Sequence, residues 1–303
     1  MVIDQVELNF NEATLTLLNI LIGLIMFGVA LDIRLEDFRR VVRDPRGPLI
    51  GLGAQFLLLP AFTFLLTRII DPAPSIALGM ILVAACPGGN FSNFLAHHAG
   101  ANAALSVSMT AVSTALAVFM TPLNLAFWGG LNEGTAAILT AVDLEPIDLL
   151  LTILLILGIP LVAGMWVAAR FPTLTARLRR PMKVFSLAAF GLFIVGALAA
   201  NWQQFMDHIG AVVIAVFLHN GFAILLGYWS ARGLKSPRYD ARAIGIEVGI
   251  QNSALGLILI FTFFEGLGGM AIVAAWWGVW HLISGLTIST WWSRRPVPIP
   301  QAA

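Results

Sequence analysis

The sequence predicts an all-α membrane protein whose chain crosses the bilayer several times. Of its 303 residues, 59% are hydrophobic and only 11% are charged, whereas a soluble domain has about 25% charged residues. A chain of this composition cannot cover a water-facing surface with polar side chains. A spanning helix needs roughly 20 apolar residues, and the apolar residues of this chain are enough for about nine such helices.

Nine apolar segments follow one another along the chain, and we expect each of them to span the membrane as part of one unit over residues 1–303. The segments lie near residues 14–32, 48–69, 75–98, 101–127, 147–169, 182–200, 209–231, 239–263 and 270–292.

The basic residues indicate the orientation of these spans. With nine spans, all of the 17 Lys and Arg residues except Arg68 fall on one side of the membrane. Because cytoplasmic loops are enriched in Lys and Arg, we expect an inner (plasma) membrane protein with its N-terminus outside and its C-terminus in the cytoplasm. The acidic loop that contains Glu133, Asp143 and Glu145 then lies outside.

Similar strings recur in the two halves of the chain. Gln55 in AQFLLLP matches His219 in VFLHNGF, and Cys86, which begins CPGGN, matches Glu247, which begins EVGIQN, at nearly the same offset. The matching spans are five apart, which is an odd number, so the two copies lie upside down relative to each other. Inverted repeats with discontinuous helices are typical of secondary transporters, whose binding sites lie where the broken helices meet.

Two spans contain residues that are unusual inside a membrane helix. The run Pro87-Gly88-Gly89 cannot continue a helix, and its freed backbone groups must be satisfied by protein, water or ions; a plain kink or loop is the alternative. Glu247 lies deep in its span, where a charge costs roughly 2.5–3.5 kcal/mol and is functional by default; a protonated structural Glu is the alternative. Gln251, four residues later, shares its helix face if the helix is continuous.

Hydroxyl side chains form a stripe on one face of the span near 101–127. Ser106 and Thr110 are four residues apart, and such residues often bond only to their own helix. Near Ser92, Asn93 and Glu247, however, they would complete an oxygen-rich site of the kind that suits a hard cation. For the two histidines inside spans, His219 and His281, hydrogen bonding in the core is the simpler interpretation.

Five strings lie in order along the whole chain and resemble the bile acid:sodium symporter family, in its bacterial-type nine-span form: CPGGNFSN, ALSVSMTAVSTALAVFMTPL, VFLHNG, IEVGIQNSALGL and VWHLISG. The resemblance implies an inverted-repeat transporter fold with two crossing discontinuous helices, built from a panel domain and a core domain. The panel would contain the spans near 14–32, 147–169 and 182–200, and the core the spans near 48–69, 75–98, 101–127, 209–231, 239–263 and 270–292.

The resemblance also implies two sodium sites and a substrate region. The residues that match the first sodium site are Ser92, Asn93, Ser106, Thr110 and Glu247. The residues that match the second are Gln55, Glu247, Val248, Ile250 and Gln251, with Val248 and Ile250 acting through their backbone carbonyls. Asn90, Asn252 and His281 fall in the substrate region. Asn90-Phe91 and Leu282 depart from residues that are frequent in bacterial members, so the sequence does not name the substrate.

The expected function is therefore sodium-coupled symport of an organic anion by alternating access. The anion would be a bile acid or a small carboxylate such as pantoate or a keto acid. We expect a monomer in the lipid bilayer, with no nucleic-acid partner and no catalytic residues. A passive channel is an alternative, although no filter-like repeat is present. An intramembrane enzyme would need a nucleophile–base pair or metal ligands; Glu247 with His219 or His281 matches no such motif.

Overall fold

The computed structural model describes residues 23–142, 151, 154–200 and 202–298. Nearly all of these residues are helical, and the described part of the chain contains no strand beyond one isolated bridge, which confirms the predicted all-α fold. The helices are α1 (residues 23–30), α2 (Leu35–Arg43), α3 (Arg46–Ile70), α4 (Pro74–Ala85), α5 (Phe91–His98), α6 (Ala103–Gly130), α7 (Glu133–Ala141), α8 (Ile159–Arg170), α9 (Pro172–Ala200), α10 (Trp202–Gly233), α11 (Arg238–Gly249), α12 (Ser253–Phe263) and α13 (Gly268–Ser293).

Four of the described helices are long and apolar enough to cross a membrane: α3, α6, α13 and the Val212–Gly233 part of α10. They match four of the predicted spans, those near 48–69, 101–127, 209–231 and 270–292. The first part of the predicted span near 14–32 and the start of the span near 147–169 lie outside the described residues.

Two further predicted spans are each divided into a pair of short helices. In the first pair α4 ends at Ala85 and α5 begins at Phe91, and in the second α11 ends at Gly249 and α12 begins at Ser253. Cys86 has extended backbone angles (φ −71°, ψ 156°), because the residue before a proline is pushed out of the helical region. The predicted break at Pro87-Gly88-Gly89 is therefore confirmed.

Two segments that the sequence analysis treated as loops contain short helices. The arginine-rich segment after the first span forms α2, with acidic residues in its first turn and arginines in its last, an order that the helix dipole favours. The described part of the acidic segment forms α7, which begins where the side chain of Asn132 accepts a hydrogen bond from the backbone of Gly134; Asp143 and Glu145 lie outside the described residues. These connections between predicted spans therefore contain short helices that the sequence analysis did not predict.

The main hydrophobic core surrounds the two divided helices. α4 is buried along nearly its whole length and packs against α3, α6 and α13, while α11 packs along α10. Glycines permit the close approach: a Cβ atom at Gly79 would stand 2.8 Å from the Cα of Met270, and one at Gly227 would stand 2.8 Å from the carbonyl oxygen of Ile244. The broken ends of both helix pairs are thereby held inside the protein.

A second, smaller core lies where α1 and α8 meet α6. Its buried members are Ala30, Ile33, Ala111 and Leu161. α8 follows a π-helical turn at Leu154–Gly158, and a Cβ atom at its Gly164 would stand only 2.5 Å from the Cβ of Ala30. Two of the helices assigned to the panel thus pack in this small cluster against α6, and the division into panel and core stays a prediction.

Candidate functional site

The two divided helices cross at their breaks and are joined there by backbone hydrogen bonds. Gly88 and Gln251 oppose each other in an antiparallel bridge. On one side of this pair the Gly89 N–H donates to the Ile250 carbonyl (2.7 Å), and on the other the Asn252 N–H donates to the Pro87 carbonyl (2.9 Å). The backbone groups freed by each break are therefore partly satisfied by the other break, as the low-dielectric interior requires.

The crossing has local two-fold symmetry. When Gly88 is aligned with Gln251, Pro87 aligns with Ile250 and Gly89 aligns with Asn252, so the two hydrogen bonds exchange under this alignment. The sequence match paired Cys86 with Glu247, whereas the two-fold relation at the crossing pairs Cys86 with Gly249. The short similar strings do not indicate which residues meet at the crossing.

Amide side chains on two neighbouring helices repeat this symmetry. Gln55 on α3 donates from Nε2 to the Cys86 carbonyl (2.9 Å), and Asn220 on α10 donates from Nδ2 to the Gly249 carbonyl (2.7 Å). Cys86 and Gly249 are equivalent positions in the alignment just described. Each broken helix therefore has its last turn fixed by an amide from the helix that precedes it in the chain. Asn220 lies in the string VFLHNG, and its sequence context does not predict this role.

The first candidate site is a hydroxyl cluster around Glu247, which is 1% exposed. Its Oε2 accepts hydrogen bonds from Ser92 (2.5 Å) and Ser106 (2.7 Å), and its Oε1 accepts from Thr110 (2.6 Å). The Oδ1 of Asn93 lies 2.9 Å from the Ser106 hydroxyl and 3.1 Å from the Thr110 hydroxyl. The structure thus brings together all five residues that match the first sodium site.

This cluster contains more hydrogen-bond acceptor oxygens than hydroxyl protons that could be donated to them. Each hydroxyl has one proton, yet Ser106 lies within hydrogen-bonding distance of both Glu247 and Asn93, and Thr110 lies within reach of these two and of the Ser106 carbonyl. Surplus buried oxygens of carboxylate, hydroxyl and amide type are the ligands that hard cations prefer. The residues present therefore fit a sodium ion.

A glycine makes the space for this carboxylate. A Cβ atom at Gly88 would collide with Oε1 of Glu247, and one at Gly89 would stand 3.1 Å from the carbonyl oxygen of Gln251. Neither glycine has a positive φ. The close approach of the opposing chain, rather than backbone strain, is what requires glycine at both positions.

The second candidate site lies between α3 and the crossing. Gln55 donates from Nε2 to Oε1 of Gln251 (2.7 Å), and Gln251 donates from Nε2 to the Val248 carbonyl (2.6 Å). The Oε1 of Gln55 is buried and has no hydrogen-bond partner among the described residues. Because a buried acceptor without a partner is costly, this oxygen fits a cation ligand. The Ile250 carbonyl, also matched to this site, already accepts from Gly89.

Gln55 lies in a π-helical turn, Ala54–Leu58, inside α3. Pro60 follows this turn, and a proline within a helix lacks the N–H donor and clashes with the carbonyl four residues earlier. A π turn relieves that clash, and such turns are frequent at functional sites. The string AQFLLLP does not by itself predict this turn.

The three residues matched to the substrate region occupy different settings. Asn90 is exposed at the start of α5, and its side chain makes no capping hydrogen bond. Asn252 is half-buried and caps α12 by accepting from the Leu255 N–H (3.1 Å). His281 lies on α13 and is 6% exposed. Asn90 and Asn252 thus both lie at the crossing, whereas His281 makes no described side-chain hydrogen bond to either of them.

His219 serves the core, as the simpler interpretation predicted. It is fully buried, and its Nε2 lies 2.6 Å from the Thr63 hydroxyl. Its ring packs edge-on against Trp277 at 4.7 Å between centroids. The Thr63 hydroxyl also donates to the Leu59 carbonyl at 2.7 Å. No group of three or more His, Cys, Asp or Glu side chains suited to a metal occurs in the described ranges.

Comparison with known proteins places the chain among membrane transporters. The model of the Sodium Bile acid symporter family matches residues 19–208. The chain is 34% identical over 278 residues to a Bacillus subtilis protein named "Uncharacterized sodium-dependent transporter YocS", an alignment that covers 92% of this chain and 83% of that protein. These matches are to transporters and not to enzymes, which confirms that the chain is a transporter.

Two eukaryotic relatives extend the comparison. The rabbit "Ileal sodium/bile acid cotransporter" is 31% identical over 259 residues, which are 82% of this chain and 71% of that protein. The Arabidopsis "Probable sodium/metabolite cotransporter BASS1, chloroplastic" is 32% identical over 273 residues, which are 90% of this chain but only 65% of that protein. The family match, these relatives and the helical fold lead to one conclusion: the chain belongs to the sodium bile acid symporter family.

Proposed function

We propose that this protein is a sodium-coupled symporter that moves an organic anion across the inner (plasma) membrane by alternating access. The observation that supports this most directly is the buried Glu247 carboxylate inside a cluster of hydroxyl and amide oxygens at the crossing of two broken helices. Family membership supports coupling to sodium, and the relatives above are named for sodium-dependent transport.

Two sodium ions would bind together, one in each candidate site. The first would use the hydroxyl cluster of Glu247, and the second would use Gln55, Gln251 and the carbonyls of Val248 and Ile250. Glu247 would serve both, because it lies in the last turn of α11, four residues before Gln251. In the structure, its described hydrogen bonds all go to the first cluster.

The substrate would bind beside the ions as an anion. Two cations against one carboxylate leave a local charge of +1. α5 and α12 both begin at the crossing, and the N-terminus of each helix contributes roughly +0.5 charge. Asn90, Asn252 and His281 would then contact the substrate. A bile acid or a small carboxylate such as pantoate or a keto acid fits this description, and the rabbit relative is named for bile acid.

Movement of the panel against the core would expose the site to each side in turn. The panel would consist of α1, α8 and α9, and the core of the remaining spanning helices. The small cluster formed by Ala30, Ile33, Ala111 and Leu161 would be part of the contact between them, since Ala111 belongs to α6. We expect a monomer with its N-terminus outside and its C-terminus in the cytoplasm.

Uptake into proteoliposomes tests this proposal. Purified protein is reconstituted, and uptake of labelled taurocholate, pantoate and pyruvate is measured with an inward sodium gradient and with potassium in its place. A symporter concentrates at least one anion above its outside level only when the sodium gradient is present. Equilibration without concentration would indicate a passive channel, and uptake that ignores sodium would reject the coupling.

A further inference from the structure

Asn102, immediately before α6, connects the helices that hold the first candidate site. Its side-chain Oδ1 accepts from the Leu105 N–H (3.0 Å) and so caps α6, while its Nδ2 donates to Oδ1 of Asp240 on α11 (2.8 Å). Its backbone N–H also donates to the carbonyl of Tyr239 (3.2 Å). A capping residue needs only the first of these bonds; the other two attach the start of α6 to the start of α11.

This connection lies on the same helix faces as the hydroxyl cluster. On α6, Ser106 follows Asn102 by four residues, which is about one turn or 6 Å. On α11, Glu247 follows Asp240 by seven residues, which is about two turns or 10 Å. The Ser106 hydroxyl meets the Glu247 carboxylate at 2.7 Å. The α6–α11 interface therefore has one fixed point at Asn102–Asp240 and the ion ligands one to two turns further on.

The third helix of the site is attached at the same place. α5, which contains Ser92 and Asn93, ends in the short loop that leads to Asn102. In that loop the Ala99 carbonyl lies 3.4 Å from Nη1 of Arg242, which also donates to the Trp292 carbonyl (3.2 Å). Both ends of the loop between α5 and α6 are thus bonded to the first two turns of α11. The three helices that supply the hydroxyl cluster meet at this loop.

We propose that Asn102 and Asp240 are positioning residues for sodium: their hydrogen bond sets the distance between the hydroxyls of α6 and the carboxylate of Glu247. The inference rests on the proposed function, since it concerns the ion site of a sodium-coupled transporter. Ligand groups must be held within about 0.5 Å of their productive geometry. The hydrogen bond between Asn102 and Asp240 joins α6 to α11 one to two turns from the site and supplies that constraint. Losing only the cap of α6 would leave this hydrogen bond in place.

Exchanging the side chains of residues 102 and 240 separates an effect on the position of the ion ligands from an effect on the cap of α6. Asn102→Asp keeps an oxygen that caps α6 but places a second carboxylate against Asp240. The double variant Asn102→Asp/Asp240→Asn restores one amide donor and one carboxylate acceptor with their places exchanged. Asn132 caps α7 by accepting from Gly134 and has no described side-chain bond to another helix, so Asn132→Asp is the matched control.

The measurement is the sodium concentration that gives half-maximal anion uptake in proteoliposomes, with thermal unfolding of each variant recorded in potassium. We expect Asn102→Asp to raise this concentration about tenfold, equivalent to about 1.4 kcal/mol, and the double variant to return it to within about threefold of wild type. Asn132→Asp should leave it unchanged.

Three outcomes would overturn the inference or its basis. A normal sodium requirement in Asn102→Asp, with only a lower unfolding temperature, would make the pair structural. A double variant that recovers its unfolding temperature but not its sodium requirement would also reject positioning. If wild-type uptake itself ignores sodium, the proposed function fails, and this result is distinguishable because it appears before any variant is compared.

Discussion

Gly88 and Glu247 lie in direct contact across the helix crossing: a Cβ atom at position 88 would collide with Oε1 of the carboxylate. That oxygen accepts a hydrogen bond from Thr110 at 2.6 Å. If residue 88 had a side chain, the Glu247 carboxylate could not keep its present position. The packing of the two broken helices therefore depends on glycine at position 88.

Gly88→Ala should consequently push the Glu247 carboxylate out of the hydroxyl cluster. We expect sodium affinity to fall by about 10- to 100-fold, the range for disturbed supporting contacts of a metal site. Sodium-dependent uptake in proteoliposomes measures the effect. Gly53→Ala on α3 is the control, since nothing lies within 4 Å of a Cβ atom there, and it should behave as wild type. Similar sodium affinity in both variants would contradict the contact.

Removing the charge of Glu247 should abolish coupling. Glu247→Gln keeps the size of the side chain but replaces one acceptor oxygen by a donor, which then faces the hydroxyls of Ser92, Ser106 or Thr110. We expect uptake in this variant to be equal with a sodium or a potassium gradient. Ser108→Ala is a suitable control, because the Ser108 hydroxyl bonds only to the Ala104 carbonyl of its own helix among the described residues. A normal sodium response in Glu247→Gln would reject the two-ion scheme.

The second site can be tested separately from the first. Gln55→Leu removes the unpartnered Oε1 and the bonds to Cys86 and Gln251, while the hydroxyl cluster is left intact. If two ions bind cooperatively, wild-type uptake should rise with sodium with a Hill coefficient approaching about 2, and Gln55→Leu should lower it to about 1. A wild-type coefficient of about 1 would count against a second ion.

Much of the helical architecture could be predicted from the sequence, because it depends on local composition. Pro87-Gly88-Gly89 ends a helix wherever it occurs in a spanning segment, and the spacing of Ser106 and Thr110 places both on one helix face. In the structure, the hydroxyls on that face donate hydrogen bonds to Glu247. These features follow from short-range rules that need no knowledge of the partner helices.

The register of the repeat could not be obtained in the same way. The relation of Gly88 to Gln251 is set by backbone hydrogen bonds, which leave no side-chain pattern to align. The role of Asn220 and the link between Asn102 and Asp240 depend on contacts between separate helices, which no local pattern encodes. The π turn at Gln55 depends on how α3 accommodates Pro60 within the packed core.

Asn252 should affect substrate transport more than folding. It caps α12 through Leu255, and replacing such a cap by Ala costs about 1 kcal/mol of stability. Asn252→Ser keeps a capping oxygen but removes the amide. We expect both variants to raise the substrate concentration for half-maximal uptake, and Asn252→Ala alone to lower the unfolding temperature clearly. Unchanged uptake kinetics in Asn252→Ser would place the substrate elsewhere.

Orientation in the membrane can be measured with single cysteines. Glu133→Cys and Arg177→Cys should be labelled by a membrane-impermeant maleimide from opposite sides, the first from outside intact cells and the second only after the membrane is opened. The native Cys86 is buried and provides a low background. Labelling of both positions from the same side would reject the nine-span arrangement.

The crossing is joined by backbone groups, and each broken helix gives the other one donor and one acceptor. Neither of the two bridged segments can move away from the other without breaking both of these hydrogen bonds at once. The Gly89 and Asn252 amide protons are therefore protected by the same opening event, and their exchange with solvent deuterium should be slowed by the same protection factor. The centre of the protein then behaves as a single cooperative unit, although the two segments that form it come from opposite halves of the chain.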